Sequence, residues 1–362
     1  MKIVNVIGAR PQFVKAAVVS RELRKIAGVN EVIVHTGQHF DRALSGAILD
    51  ELGFPDVNYN LGINQLTHGA MTGRMLEEIE KILIAEQPDM LLVYGDTNST
   101  IAGALAARKL NIRIAHVEAG MRSFNMKMPE EINRILTDRI SDLLFCSSET
   151  SVQHLQSEGF GHFPCSVINS GDVMYDAFLH FKPIAEEKSS IVKDLGLNDF
   201  VLCTLHRESN VDHPDQLVSI LSALEKINKE IQVVLPVHPR TAKKMEQFGI
   251  KSSIRLIPPA TYFDMLQLLD KCSMVITDSG GLQKEAYFSE KPCLTVRYET
   301  EWTELVDKGY NKLVGTDSDW ILNNFHWMME NLPDFDLSLY GNGKAGTIIA
   351  ETMTRKPVIQ TA

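Results

Sequence analysis

The chain of 362 residues lacks the cysteine pattern of a stapled or metal-bound fold. Its five cysteines (Cys146, Cys165, Cys203, Cys272, Cys293) are odd in number, scattered, and never spaced C-x-x-C. That pattern suits free thiols of a reducing compartment and argues against disulfides and zinc sites. Basic residues are in deficit: 36 Lys and Arg stand against 46 Asp and Glu, a net charge of −10. A nucleic-acid groove needs a basic face, so that partner class is not expected. No hydrophobic run approaches the ~20 residues of a membrane helix. The opening Met1–Ile7 run is too short, and too soon followed by Arg10, for a signal peptide. A soluble, cytoplasmic protein is the expectation. There is no HExxH and no G-x-S-x-G, and the turn Gly8–Lys15 after the first strand is not a G-x-G-x-x-G, so zinc hydrolysis, serine hydrolysis and a dinucleotide fingerprint there lack support. No metal or cofactor is expected.

What remains is an ordinary globular composition, 44% hydrophobic and 23% charged, long enough for two cores. Short apolar runs alternate with helical periodicity. Ile3–Ile7, Val32–Thr36, Met90–Tyr94, Ile112–Val117, Leu143–Cys146 and Ser166–Ile168 read as strands. Between them, 12–25, 71–87 and an alanine-rich run to Leu110 read as helices, and Pro129 opens another. The pattern pauses near Gly171-Asp172 and the polar stretch 186–190, then restarts with strands at 201–205, 233–235, 255–257, 274–276, 294–296 and 313–314. Such alternation predicts βαβ units and parallel sheets. The expected organisation is an α/β fold of two domains, residues 1–171 and 172–342, with a helix at about 343–362 packing back on the first.

The stretch Met274-Val275-Ile276-Thr277-Asp278-Ser279-Gly280-Gly281-Leu282-Gln283-Lys284-Glu285-Ala286 organises the second half. A buried strand runs into a small-residue turn and then a helix start. Free N–H groups and the helix dipole make such a turn an anion site, and the glycines allow close approach. Glu285, about one turn along, suits a ribose diol, which gives a seat for a nucleoside diphosphate. A plain tight turn would also explain Ser-Gly-Gly taken alone.

Polar residues gather at the expected carboxyl ends of strands: Arg10, Gln38, Asp96, Glu118, His206, His238 and Ser279. Ligands bind outside those ends in open parallel sheets. Arg10 and Lys15 suit phosphates, though a solvated helix face would also carry them. Asp96 and Glu118 each follow a strand, where an unpaired acid is costly unless it bonds something. Asp96 would otherwise cap a helix, and Glu130 would otherwise complement a helix dipole. His206 suits general acid–base work or a phosphate contact, with a packed strand-end histidine as the plain alternative.

Six motifs stand in register from Lys2 to about Gly315. They are Gly8-Ala9-Arg10-Pro11, Tyr94-Gly95-Asp96-Thr97, His116–Ser123, Pro129–Arg134, His206-Arg207-Glu208 and Thr277–Glu285. Together they resemble the non-hydrolysing UDP-N-acetylglucosamine 2-epimerase family. The resemblance implies two Rossmann-like domains facing across a cleft (GT-B-type architecture) and C2 inversion by elimination and re-addition of UDP. It places Asp96, Glu118, Glu130 and His206 on catalytic positions. Arg10, Ser279, Gly280, Gly281 and Glu285 fall on UDP contacts, with Lys15 beside them. Gln38, Arg74, Arg207 and His238 resemble part of a second, regulatory pocket; Asp41 departs from it, so weak activation by substrate is expected. Crowding of the three acids Asp96, Glu118 and Glu130 is expected to raise at least one carboxyl pKa. A homodimer with a UDP-sugar substrate is implied.

Departures point within the family. Thr300-Glu301-Trp302 replaces a common Thr-Glu-Arg, removing a UDP-facing arginine, and Gly171–Asp176 replaces a Gly-Asn pattern. With Arg122–Pro129, these are more similar to the subgroup acting on UDP-2,3-diacetamido-2,3-dideoxyglucuronate in O-antigen synthesis. That sugar's carboxylate needs a cation, for which Arg122 or Lys127 is the candidate. UDP-N-acetylglucosamine is the alternative substrate, and a UDP-sugar glycosyltransferase the more distant alternative activity.

Overall fold

The computed structural model describes residues 1–38 and 48–355; Asp41 lies outside them. The chain divides into two units, Met1–Leu179 with the segment from Ser338 onward, and His180–Leu337. The first is built on strands β1 (Lys2–Ile7), β2 (Asn30–His35), β3 (Tyr59–Asn60), β4 (Met90–Tyr94), β5 (Arg113–Ala119), β6 (Leu143–Cys146) and β7 (Ser166–Asn169). They pair in the order β3-β2-β1-β4-β5-β6-β7, every pair parallel. All five residues of β4 are buried, as expected of a central parallel strand covered on both faces. Each buried Val, Leu or Ile contributes about 1.5–3 kcal/mol. Helix His68–Glu86 buries Met71, Met75, Ile79, Ile82 and Leu83, the apolar stripe legible in the sequence.

The second unit repeats the plan with β8 (Phe200–Thr204), β9 (Gln232–Pro236), β10 (Arg255–Ile257), β11 (Met274–Thr277), β12 (Cys293–Thr295) and β13 (Asn311–Leu313). Their order is β10-β9-β8-β11-β12-β13, again parallel. In each sheet the chain winds outward in both directions from one central pair, β1 with β4 and β8 with β11. Loops diverge at the carboxyl ends of such a pair and leave a crevice there.

The division between units falls inside helix Val173–Lys188 and not at Gly171–Asp172. Gly171 and Asp172 are a helix start: the Asp172 carboxylate accepts from Met174 N at 2.7 Å, and Asp172 N donates to Tyr340 O at 2.9 Å. The polar stretch at 186–190 marks the end of that helix. Helix Ala345–Thr354 belongs to the first unit and packs on helix Arg10–Leu23. Its first N–H groups, Ala345 and Gly346, donate to Asp176 at 3.1 and 2.8 Å. The part of that expected segment past residue 355 lies outside the described residues.

All five cysteines are free thiols, and all but Cys165 are buried. Burial pushes Cys272 and Cys293 up to about 12. Among the described residues no helix is long and apolar enough to cross a membrane.

Candidate active site

The β1 and β4 ends are fastened to each other by one side chain. Gln12 Oε1 accepts from Gly8 N at 2.8 Å and Ala9 N at 3.0 Å, while Nε2 donates to Tyr94 O at 2.7 Å and Thr97 Oγ1 at 3.0 Å. This latch fixes where Arg10, the first residue of its helix, and Asp96 leave the sheet. Gly8 has no room for a side chain, because a Cβ there would collide with the hydroxyls of Ser99 and Thr36.

Glu118 occupies an unusual backbone position. Its φ is +73°, a left-handed conformation that costs a non-glycine residue about 1–3 kcal/mol. The register of β5 against β6 shifts between Val117 and Ala119, so the carboxylate is set on a bulge. It is buried, and Lys15 Nζ, equally buried, bonds Glu118 Oε2. Lys15 therefore sits with this carboxylate, where the sequence suggested a phosphate contact.

Asp96 is half-buried and bonded by Arg134, through Nη2 and also through Nε at 3.2 Å, both to Oδ2. Arg134 Nη1 continues to Glu131 Oε2 at 2.6 Å. Glu131 also accepts from Ser123 N, Ser123 Oγ and Phe124 N at 2.8–2.9 Å. Burial alone would raise its pKa, but those donors and the Arg134 charge hold it below the usual range. Glu130, next in line, is exposed in the first turn of helix Pro129–Ile140 and has no ion-pair partner among the described residues. Two of the three acids are thus ion-paired, Glu118 with Lys15 and Asp96 with Arg134.

Arg122 is not available to a sugar carboxylate. It is buried, with Nη1 on Asp138 at 2.7 Å and Nε and Nη2 on Glu158 at 2.7 and 2.8 Å. Lys127 is exposed.

In the second unit, Ser279 caps helix Gly280–Phe288, its hydroxyl accepting from Leu282 N at 3.4 Å. A methyl group built on Gly281 would meet no described atom within 4 Å. Glycine in a helix costs up to about 1 kcal/mol against alanine, and packing here does not demand it. Glu285 lies half-buried one turn further on.

Asp278 stands between β11 and that helix. It is fully buried and accepts from His206 N at 3.1 Å, Arg207 N at 3.0 Å and Asn210 Nδ2 at 3.1 Å. His206 Nδ1 lies 3.1 Å from Oδ1. Burial opposes ionisation of Asp278, but His206 and the backbone donors outweigh it and lower the pKa. One carboxylate at the β11 end thereby sets the β8 loop beside the anion seat.

Trp302 stands where the arginine is missing. Its indole N–H donates to Gly280 O at 2.9 Å, and the ammonium of Lys284 lies 3.9 Å from the ring centre. Glu301 is bound by Arg297 at 3.0 and 3.2 Å, with Arg207 Nη2 at 3.7 Å. Arg207, Arg297 and Lys284 bring positive charge to this part of the second unit.

Of the residues assigned to a regulatory pocket, Arg207 also donates to Asp278 O at 3.1 Å, and the His238 ring lies 5.7 Å from that of His206. Those two belong to the His206 cluster. In the first unit, Gln38 Oε1 accepts from Ser99 N and Oγ at 3.1 and 2.8 Å, and Arg74 is a largely exposed helix residue near Glu77.

Sequence reading missed Gln12, Arg134, Glu131 and Asp278 as organisers. The Glu131–Arg134 pair had a signal, since residues three apart on a helix are neighbours. Tyr94 and Thr97, which Gln12 ties to its own turn, and the His206, Arg207 and Asn210 partners of Asp278 lie about 70 to 85 positions away and gave none.

Comparison with known proteins gives a consistent picture. A family model described as UDP-N-acetylglucosamine 2-epimerase matches residues 21–354. The chain is 49% identical over 356 residues to a UDP-2,3-diacetamido-2,3-dideoxy-D-glucuronate 2-epimerase of Pseudomonas aeruginosa, covering 98% of this chain and 100% of that one. It is similar in structure to the Methanocaldococcus jannaschii UDP-GlcNAc 2-epimerase in complex with UDP-GlcNAc and UDP, with a TM-score of 0.90, 38% identity and coverage of 98% and 99%. The Neisseria meningitidis UDP-GlcNAc 2-epimerase bound to UDP-GlcNAc gives a TM-score of 0.87 at 28% identity, with coverage of 98% and 99%.

Proposed function

The chain belongs to the UDP-N-acetylglucosamine 2-epimerase family, and on that premise we propose that it interconverts UDP-2,3-diacetamido-2,3-dideoxyglucuronate and its manno epimer. The similarity to the Pseudomonas aeruginosa enzyme along the whole chain carries the choice of sugar. UDP-N-acetylglucosamine is the second reading, favoured by the relatives of known structure. A cytoplasmic homodimer serving O-antigen or capsule synthesis completes the proposal.

The chemistry follows from the substrate. A C2 proton beside an intact C1–O bond is not acidic. Departure of UDP from C1, with the electron pair going to the diphosphate oxygen, leaves an oxocarbenium-like carbon that acidifies C2. A carboxylate then removes the C2 proton and a 2-acetamidoglucal forms. Return reverses the order of bonds: a proton is delivered to the other face of C2, and the diphosphate oxygen adds to C1. Two faces need two groups, which Asp96, Glu118 and Glu130 supply. The Ser279–Gly281 helix start and His206 offer N–H groups and positive charge to the departing diphosphate, aided by Arg10, while Glu285 suits the ribose. The held carboxylates support this reading, since Lys15 and Arg134 keep Glu118 and Asp96 at fixed places on neighbouring strand ends.

Proton NMR of the protein with each UDP-sugar in deuterium oxide tests the proposal. Epimer formation with deuterium at C2 is expected, without any acceptor. Retained protium, or no change in the sugar, would overturn it; a glycosyltransferase leaves the sugar unchanged.

A further inference from the structure

His116 is fully buried on β5, two residues before Glu118. Both ring nitrogens face oxygen. Nε2 lies 2.7 Å from Gly95 O, and Nδ1 lies 2.7 Å from Asp138 Oδ1. A carbonyl only accepts, so Nε2 carries a hydrogen. The second contact also needs a proton, either on Nδ1 or on Asp138. Asp138 takes two further donors on Oδ2, Arg122 Nη1 at 2.7 Å and Gly120 N at 3.1 Å. An acceptor with that many donors stays ionised, so the shared proton belongs on Nδ1.

The placement of the two contacts matters more than their number. Gly95 immediately precedes Asp96, and Gly120 stands two residues beyond Glu118. The His116–Asp138 pair thus ties the turn that carries one acid to the bulge that carries the other. We propose that His116, as a buried imidazolium, is a positioning residue that sets the spacing of Asp96 and Glu118 through the Gly95 carbonyl and Asp138. It touches no substrate. The proposal rests on the epimerase reading for its effect on turnover, but not for its protonation state.

The groups packed around the ring are consistent with a cation. Asp138 comes from helix Pro129–Ile140, and the Gly95 carbonyl from the turn after β4. Arg122, the neighbouring cation, is balanced by Glu158 at the end of helix Glu149–Ser157. The Cys146 thiol on β6 is pushed upward by burial and then by the Asp138 charge, so it stays neutral. Burial would raise Asp138, but the hydrogen bond and charge of His116, with those of Arg122, hold it low.

The test uses the intact protein in two ways. In wild type, long-range proton–nitrogen spectra of the imidazoles at neutral pH are expected to show a hydrogen on both His116 nitrogens, as the two oxygen contacts require. One nitrogen with the shift of an unprotonated ring would overturn the proposal, whatever the activity. His116→Gln keeps one donor but turns an oxygen towards the second acceptor. It is expected to lower kcat by about 10-fold or more, with KM and the Kd for UDP within about threefold, because the diphosphate seat lies elsewhere. A folded variant with unchanged kcat would also overturn it. If that variant does not fold, the wild-type spectra decide alone. Loss of epimerase activity in wild type, with both nitrogens protonated, would count against the functional reading and leave the pair standing.

Discussion

Glu130 and Glu131 are neighbours in the chain with opposite surroundings: Glu130 is exposed, and Glu131 is buried among four donors from Ser123, Phe124 and Arg134. The first turn of one helix thus presents one acid outward and uses the next to hold the preceding loop.

The two glutamines should therefore separate chemistry from folding. Glu130→Gln is expected to lower kcat by about 10²–10⁴ with an unchanged unfolding midpoint. Glu131→Gln should instead cost about 1.5–3 kcal/mol of stability at neutral pH. The folded-state pKa of Glu131 is depressed. Its contribution is present above the unfolded value of about 4.3 and is lost as pH falls through the folded value. Urea titrations should show the wild type and Glu131→Gln converging below about pH 4.3. A constant gap down to acid pH would refute the assignment.

Lys15 and Glu118 are buried together, so removing either leaves the other charge without its main partner. Lys15→Met and Glu118→Gln are each expected to destabilise by about 3–5 kcal/mol. The double variant should cost less than the sum by about 0.5–3 kcal/mol and recover no turnover. Additive losses in denaturant unfolding would show that the two residues do not act as a pair.

Gly281 separates packing from ligand approach. Gly281→Ala meets no described atom of the protein, so thermal stability should hold or rise by up to about 1 kcal/mol. The methyl group would stand over the helix start, and the Kd for UDP is expected to rise by about tenfold or more, a loss of about 1.4 kcal/mol. Isothermal titration checks this. Unchanged affinity would move the diphosphate away from that turn.

For the sugar carboxylate, the exposed Lys127 replaces the buried Arg122 as the candidate cation. Lys127→Ala is expected to raise KM for the uronate by about tenfold or more, the range of one charge-assisted bond, and to leave UDP-N-acetylglucosamine kinetics alone. Equal effects on both sugars would remove Lys127 from carboxylate recognition. Arg122→Ala should fail differently, through loss of the Asp138 and Glu158 contacts and hence of stability.

Much of the architecture was legible in the sequence. Met90–Tyr94 and Leu143–Cys146 announce themselves as strands because both faces of a central parallel strand are apolar. Helix Val173–Lys188 was hidden, because Pro183 lies within it and its last turns are polar. Asp96, Glu118 and Glu130 stood out as acids beside strand or helix ends. Their partners did not, since a charge in a polar run reads as surface until the fold delivers a counter-ion. Lys15 and Glu118 are 103 positions apart, a pairing that no local pattern records. Arg122 was misjudged for the same reason: its two acids arrive from separate helices.

The chain's path into and out of its second unit has a consequence for synthesis. His180–Leu337 is continuous, whereas the first unit resumes only at Ser338. Ribosomes extend a chain at about 5–20 residues per second, and domains fold as they emerge. The second unit is therefore complete while helix Arg10–Leu23 still waits for helix Ala345–Thr354, and while Asp176 still lacks the N–H groups it caps. Although translated first, the unit bearing the carboxylates is the last to close.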